Sequence, residues 1–112
     1  MKLQEVKELI SAEVLAVENE LGREVLSAFG CDLMSDVLAF VDDQALLLTG
    51  LMNPQVVRTA EMMDMKAIVF VRGKMPGEDV IELANEAGIT VLSTSLPLYI
   101  SCGKLYSSGL GV

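Results

Sequence analysis

The stretch Val71-Arg72-Gly73-Lys74-Met75-Pro76-Gly77 places two cations directly after an apolar run in a chain that is otherwise acidic. A guanidinium pairs bidentately with phosphate or carboxylate and an ammonium adds a compact point charge, so Arg72 and Lys74 can hold an anion. They can equally balance Glu78 and Asp79 at the next helix start, or simply be solvated. Two further polar stretches also follow apolar runs. In Thr49-Gly50-Leu51-Met52-Asn53-Pro54, Gly50 permits a tight turn, Asn53 suits a helix N-cap and Pro54 suits the first helical position. The N–H groups of that loop can hold an anion, and a plain helix start explains the same residues. Ser93-Thr94-Ser95-Leu96-Pro97 supplies three hydroxyls before another helix-start proline, and capping explains at least one of them. The candidate ligand-binding residues are therefore Thr49, Gly50, Asn53, Arg72, Gly73, Lys74, Ser93, Thr94 and Ser95.

Other chemistry is poorly supplied. The chain has no His, which removes imidazole as a general base, triad member or metal ligand. Neither Gly73-Lys74 nor Gly103-Lys104 meets the P-loop pattern, and Gly109-Leu110-Gly111 has no helix after it to make a dinucleotide fingerprint. Asp32 and Asp36, and Asp42 and Asp43, form acidic pairs without the dense oxygen donors a hard metal requires; Asp32 reads as the N-cap of a short helix. Cys31 and Cys102 lack a Cys-x-x-Cys spacing and read as two buried thiols rather than a disulfide. Neither has a candidate His or a clearly cationic neighbourhood to make it a nucleophile. The methionines, Met62, Met63 and Met65 among them, read as adaptable core, or as partner surface where exposed. No catalytic residue, metal site or cofactor is expected, and the protein does not read as an enzyme.

Three units position the polar loops: strand 45–49 with helix 54–64, strand 67–71 with helix 78–87, and strand 90–94 with helix 97–106. Each joins a short apolar run to a segment of helical spacing. This alternation predicts an α/β fold with a small, mostly parallel sheet, because parallel strands need helical crossovers that cover both sheet faces. Ligands of such sheets bind beyond the carboxyl ends of the strands, where all three loops lie. Upstream, the pattern predicts a helix at 3–10, a strand within 12–17, a polar turn at 18–22, a strand over 24–30, a helix to about 41 and a turn at Asp42-Asp43.

The 112 residues fit one domain, 1–112. A hydrophobic fraction of 52% and mean hydropathy of +0.49 come without any apolar run near the roughly 20 residues that cross a bilayer. The amphipathic N-terminus lacks a signal peptide's apolar core, so a cytoplasmic protein without membrane partners is expected. The apolar excess favours strands buried on both faces and a surface covered by a second subunit, hence a homodimer. A net charge of −8, no Trp, three Phe and two Tyr argue against nucleic acid.

From Ser27-Ala28-Phe29-Gly30-Cys31-Asp32-Leu33-Met34-Ser35-Asp36 through Leu48-Thr49-Gly50, Asn53-Pro54-Gln55-Val56 and Lys66-Ala67-Ile68-Val69-Phe70-Val71-Arg72-Gly73, the chain resembles a stand-alone DRTGG domain. That family resembles the N-terminal domain of HPr kinase/phosphorylase. Its members occur beside CBS domains in regulatory pyrophosphatases and on the N-terminal side of some phosphotransacetylases. Met52-Asn53 stands where the family has Asp-Arg, and Val71-Arg72-Gly73 where it has Thr-Gly-Gly. Only Gly73 matches by identity, and the family's other motif roles are not carried over. The resemblance implies a dimeric regulatory or assembly module without kinase chemistry. Single-domain versions look like those of anaerobic bacteria, some near iron hydrogenase genes.

Two functions follow as expectations. The first is a non-catalytic homodimeric sensor of a small anionic ligand, such as a nucleotide, at the three loops. The alternative is a protein-interaction module of a metabolic or hydrogenase-associated redox complex, docking through the N-terminal helix or residues 96–110.

Overall fold

The computed structural model describes residues 1–41 and 44–111. Among them, five strands form one sheet: β1 (Glu13–Ala16), β2 (Ser27–Gly30), β3 (Ala45–Thr49), β4 (Ala67–Phe70) and β5 (Thr90–Ser93). The spatial order is β1-β5-β4-β3-β2, with β2 to β5 parallel and β1 antiparallel to β5. The helices are α1 (Leu3–Leu9), α2 (Met34–Phe40), α3 (Pro54–Met62), α4 (Glu78–Ala87) and α5 (Leu98–Ser107), with a 3₁₀ turn at Glu18–Glu20. The protein is thus an α/β fold with a mostly parallel sheet. No helix among the described residues is long and apolar enough to cross a membrane.

Every residue of β3, β4 and β5 is buried, which explains why these strands read as continuous apolar runs rather than alternating ones. Alternate side chains enter two cores. Leu47, Ile68, Phe70 and Val91 meet Val56, Val57 and Ala60 of α3 and Val80 and Ala84 of α4. Leu46, Leu48, Val69 and Leu92 meet Leu3 and Val6 of α1 and Leu105 of α5. Cys31 packs against the first core and Cys102 against the second, so the sheet separates the two thiols and both are free. Each is half-buried rather than fully buried.

Local chemistry sets the element ends. Asn53 Oδ1 accepts from Gln55 N–H at 3.0 Å and Pro54 takes the first helical position, as the sequence predicts. The α3 helix stops at Met62 rather than residue 64, because Asp64 turns left-handed at φ 56° and sends Met65 into the core. The α4 helix spans the expected 78–87 and ends on Gly88 at φ 71°, a conformation that glycine adopts freely. The α5 helix starts one residue late, with Pro97 as its N-cap. Residues 24–26 do not extend β2: Val25 N–H bonds Met1 carbonyl at 2.8 Å, and Glu24 bridges to Lys2. Asp32 does not cap α2, whose N-cap is Leu33. The expected turn at Asp42-Asp43 lies outside the described residues.

Ile68 is fully buried on the central strand β4. Ile68→Ala is expected to destabilise the protein by about 2–5 kcal/mol, the range for cutting a buried aliphatic side chain, with the loss read from the denaturant midpoint.

Candidate functional site

Because β3, β4 and β5 are parallel neighbours, the loops leaving their carboxyl ends stand side by side, and the β2–α2 loop joins them on the β3 flank. A polar cluster forms there from Asp32, Thr49, Gly50, Arg72 and Lys74. Asp32 Oδ1 accepts two hydrogen bonds, from Gly50 N–H at 2.7 Å and from Thr49 Oγ1 at 2.9 Å. The Gly50 N–H beside it holds the Asp32 carboxyl below the usual range, against a partial burial penalty, with help from the Thr49 hydroxyl and the charges of Arg72 and Lys74. The loop after β3 does hold an anion, and that anion is a side chain of the protein itself.

Arg72 reaches this cluster through an uncommon backbone. Its φ is 60°, in the left-handed region that a residue with a Cβ enters at a cost of about 1–2 kcal/mol. Two bonds hold it: Arg72 N–H to Leu96 carbonyl and Gly73 N–H to Thr94 carbonyl, both at 2.8 Å. The guanidinium then lies over Gly50, where a Cβ would stand 2.8 Å from Arg72 Nη2 and 3.5 Å from Asp32 Oδ2. With no Cβ, Gly50 lets the guanidinium lie directly over the loop; a Cβ there would push the tip of the Arg72 side chain aside. Lys74 Nζ donates to Gly50 carbonyl at 3.0 Å, tying the β4 loop to the β3 loop. Neither Arg72 nor Lys74 forms an ion pair within 4 Å among the described residues.

Of the remaining candidates, Ser93, Thr94 and Asn53 have side-chain partners within the fold, and Ser95 is exposed. Ser93 Oγ donates to Lys74 carbonyl at 3.0 Å, fixing the cationic loop. Thr94 Oγ1 turns inward to Ile10 carbonyl at 2.6 Å, and Asn53 caps α3. Gly73, Ser93 and Ser95 line a shallow depression of about 260 Å³ with Ser11 and Met75. Asp32 is the member that the helix-cap reading overlooked. Its sequence signal is its place two residues after a strand, in a loop at the same sheet end as the other three. Of the two thiols, burial pushes Cys102 above its ordinary pKa, which opposes a nucleophilic role at neutral pH. Among the described residues, no group of three or more His, Cys, Asp and Glu is placed to hold a metal ion.

No family model and no curated protein matches the chain. Among solved structures it is similar to the CBS and DRTGG domains of the regulatory region of Clostridium perfringens pyrophosphatase, complexed with the activator diadenosine tetraphosphate. The TM-score is 0.76 at 16% identity, over 98% of this chain and 48% of that one. The likeness is one of fold. It supports the DRTGG-like fold expected from residues 27–73, and the chain spans about half the length of the protein it matches.

Removing the Asp32 carboxylate leaves the buried Gly50 N–H and Thr49 hydroxyl without their acceptor. Asp32→Ala is expected to cost about 1–3 kcal/mol in chemical denaturation. With its folded pKa depressed, Asp32 stabilises the fold above the ordinary carboxylate value of 3.8 and loses that contribution as pH falls through the lower folded value. The acid limb of a Tm-against-pH curve is expected to flatten in Asp32→Asn.

Proposed function

We propose that the protein is a non-catalytic regulatory module of the DRTGG type, a homodimer that senses a small anionic ligand such as a nucleotide at the ends of β3, β4 and β5. One observation carries the reading. Arg72 is held in a left-handed conformation that lays its guanidinium over Gly50, beside a lysine and without an ion pair among the described residues. Backbone strain of this kind concentrates at ligand sites, and an exposed guanidinium is built for bidentate recognition of phosphate. The similar pyrophosphatase regulatory region supports the reading, since it was solved with a dinucleoside tetraphosphate activator.

The Asp32 carboxylate defines how such a ligand engages. It already fills the Gly50 N–H and Thr49 hydroxyl, so the incoming anion pairs with Arg72 and the free donors of Lys74 and stays outside the β3 loop. A polyphosphate suits this arrangement, because its extended charge reaches the cations without entering a hole that a carboxylate occupies.

The test is a thermal-shift titration against adenine and guanine nucleotides, diadenosine polyphosphates, acetyl phosphate and inorganic phosphate. A ligand at 100 times its Kd stabilises the folded state by about 2.7 kcal/mol, so Tm is expected to rise with concentration. Arg72→Ala is expected to abolish the shift and remain folded. Arg72→Gly, which suits the left-handed backbone, is expected to abolish it with no loss of basal Tm. A shift retained in both variants overturns the site, and no shift from any anion with wild-type protein overturns the sensor reading in favour of the assembly module.

A further inference from the structure

The outward side of α5 carries a stripe that the fold of one chain does not explain. Tyr99, Gly103 and Tyr106 share one helix face at the i, i+4, i+7 spacing, and Cys102 lies at its inner edge, where it also packs against the second core. Tyr99 is 84% and Tyr106 66% exposed, on either side of an open groove of about 730 Å³ that also takes in Ile100 and Leu9 of α1. Among the residues lining it, Lys104 alone carries a charge. Gly103 lies inside the helix, where glycine is less favourable than alanine. A Cβ built there meets nothing within 4 Å, so nothing within the chain requires its absence.

We infer that this face is the interface with a second copy of the chain, formed by α5 packing antiparallel on its symmetry mate. Two features select a second copy over an unrelated partner. The first is charge: all sixteen carboxylates fall within residues 1–86, leaving that part at net −9, whereas residues 87–112 contain only Lys104. Two copies of so acidic a chain repel through most of their surfaces and meet without like-charge cost through the segment that holds α5. The second is symmetry. The midpoint of the stripe falls beside Gly103, so a two-fold axis there brings the Gly103 backbones of the two copies together and sets Tyr99 of one copy against Tyr106 of the other. Close approach of two helices at their small residues gives Gly103 its reason.

The two exposed rings with Ile100 offer on the order of 400 Å², about half of the ~800 Å² that each partner gives to a standard interface. The rim of Leu9, Lys104, Ser107 and Ser108 extends it. This inference takes up the homodimer of the proposed reading and is independent of the ligand, because it is tested without any anion.

The test is the mass in solution by light scattering over a protein concentration series. Wild-type protein is expected at twice 12.1 kDa. Gly103→Glu is expected at the monomer mass with unchanged or raised helical content, since the side chain has free space in the protomer. Tyr106→Glu is a second route to the monomer should the first variant fold poorly. Phe40→Glu, at an exposed residue of α2 outside the groove, is expected to remain dimeric. In a background with Cys31→Ser and Cys102→Ser, Gly103→Cys is expected to form a covalent dimer on mild oxidation. A monomeric wild type, or a dimer that survives both Gly103→Glu and Tyr106→Glu, overturns the assignment.

Discussion

The rest of the structure depends on the burial of β3, β4 and β5 on both faces. Ala45 to Thr49, Ala67 to Phe70 and Thr90 to Ser93 have no polar side to offer water, so each strand demands cover above and below. Parallel pairing follows from the helical crossovers that supply this cover, and those crossovers place all the strand-end loops on one edge. The polar cluster is a consequence of this arrangement: Asp32, Thr49 and Arg72 are far apart in the chain and adjacent at the sheet edge because their strands β2, β3 and β4 are adjacent.

At that edge, hydrogen-bond satisfaction decides which polar residues remain free. Buried donors take partners wherever geometry allows, and Thr49, Ser93 and Thr94 are all buried. Their hydroxyls therefore serve Asp32, the Lys74 carbonyl and the Ile10 carbonyl. The cationic loop has the opposite character. Arg72 is exposed, and two backbone bonds from Arg72 and Gly73 to the β5–α5 loop hold it at a positive φ. The positive φ and a guanidinium without an ion pair within 4 Å among the described residues are the two features on which the proposed anion site rests.

The two faces of the sheet are covered unequally. The core that contains Phe70 lies under α2, α3 and α4, whereas the one that contains Leu48 lies under α1 and α5. With fewer helices on the second face, α5 stands less enclosed and leaves Tyr99, Ile100 and Tyr106 in solvent. The high mean hydropathy has its origin in both places: strands without a polar face, and a helix whose outer side is apolar as well. The proposed anion site and the proposed dimer surface draw on different parts of the molecule. One uses the loop edge of the sheet, the other the outer face of the last helix.

The sequence by itself determined the strand and helix alternation over 45–106, the parallel sheet and the convergence of the three loops, because these rest on local periodicity and on helix starts such as Asn53-Pro54 and Pro97. Tertiary structure decided what the local pattern could not contain. Asp32 looked like a helix cap, since a short polar residue before an apolar helix is read that way locally. Its actual partners, the Thr49 hydroxyl and Gly50 N–H, are seventeen and eighteen residues away and arrive only through the β2–β3 pairing. The shortening of β2 likewise depended on Met1 reaching Val25, a contact between segments with no periodicity in common. The reach of Arg72 over Gly50 required a positive φ that nothing in its side chain signals and that only the bonds to Leu96 and Thr94 enforce. Periodicity reports which face of an element is buried; which polar groups meet depends on pairings remote in the chain, and these exist only once the sheet has formed.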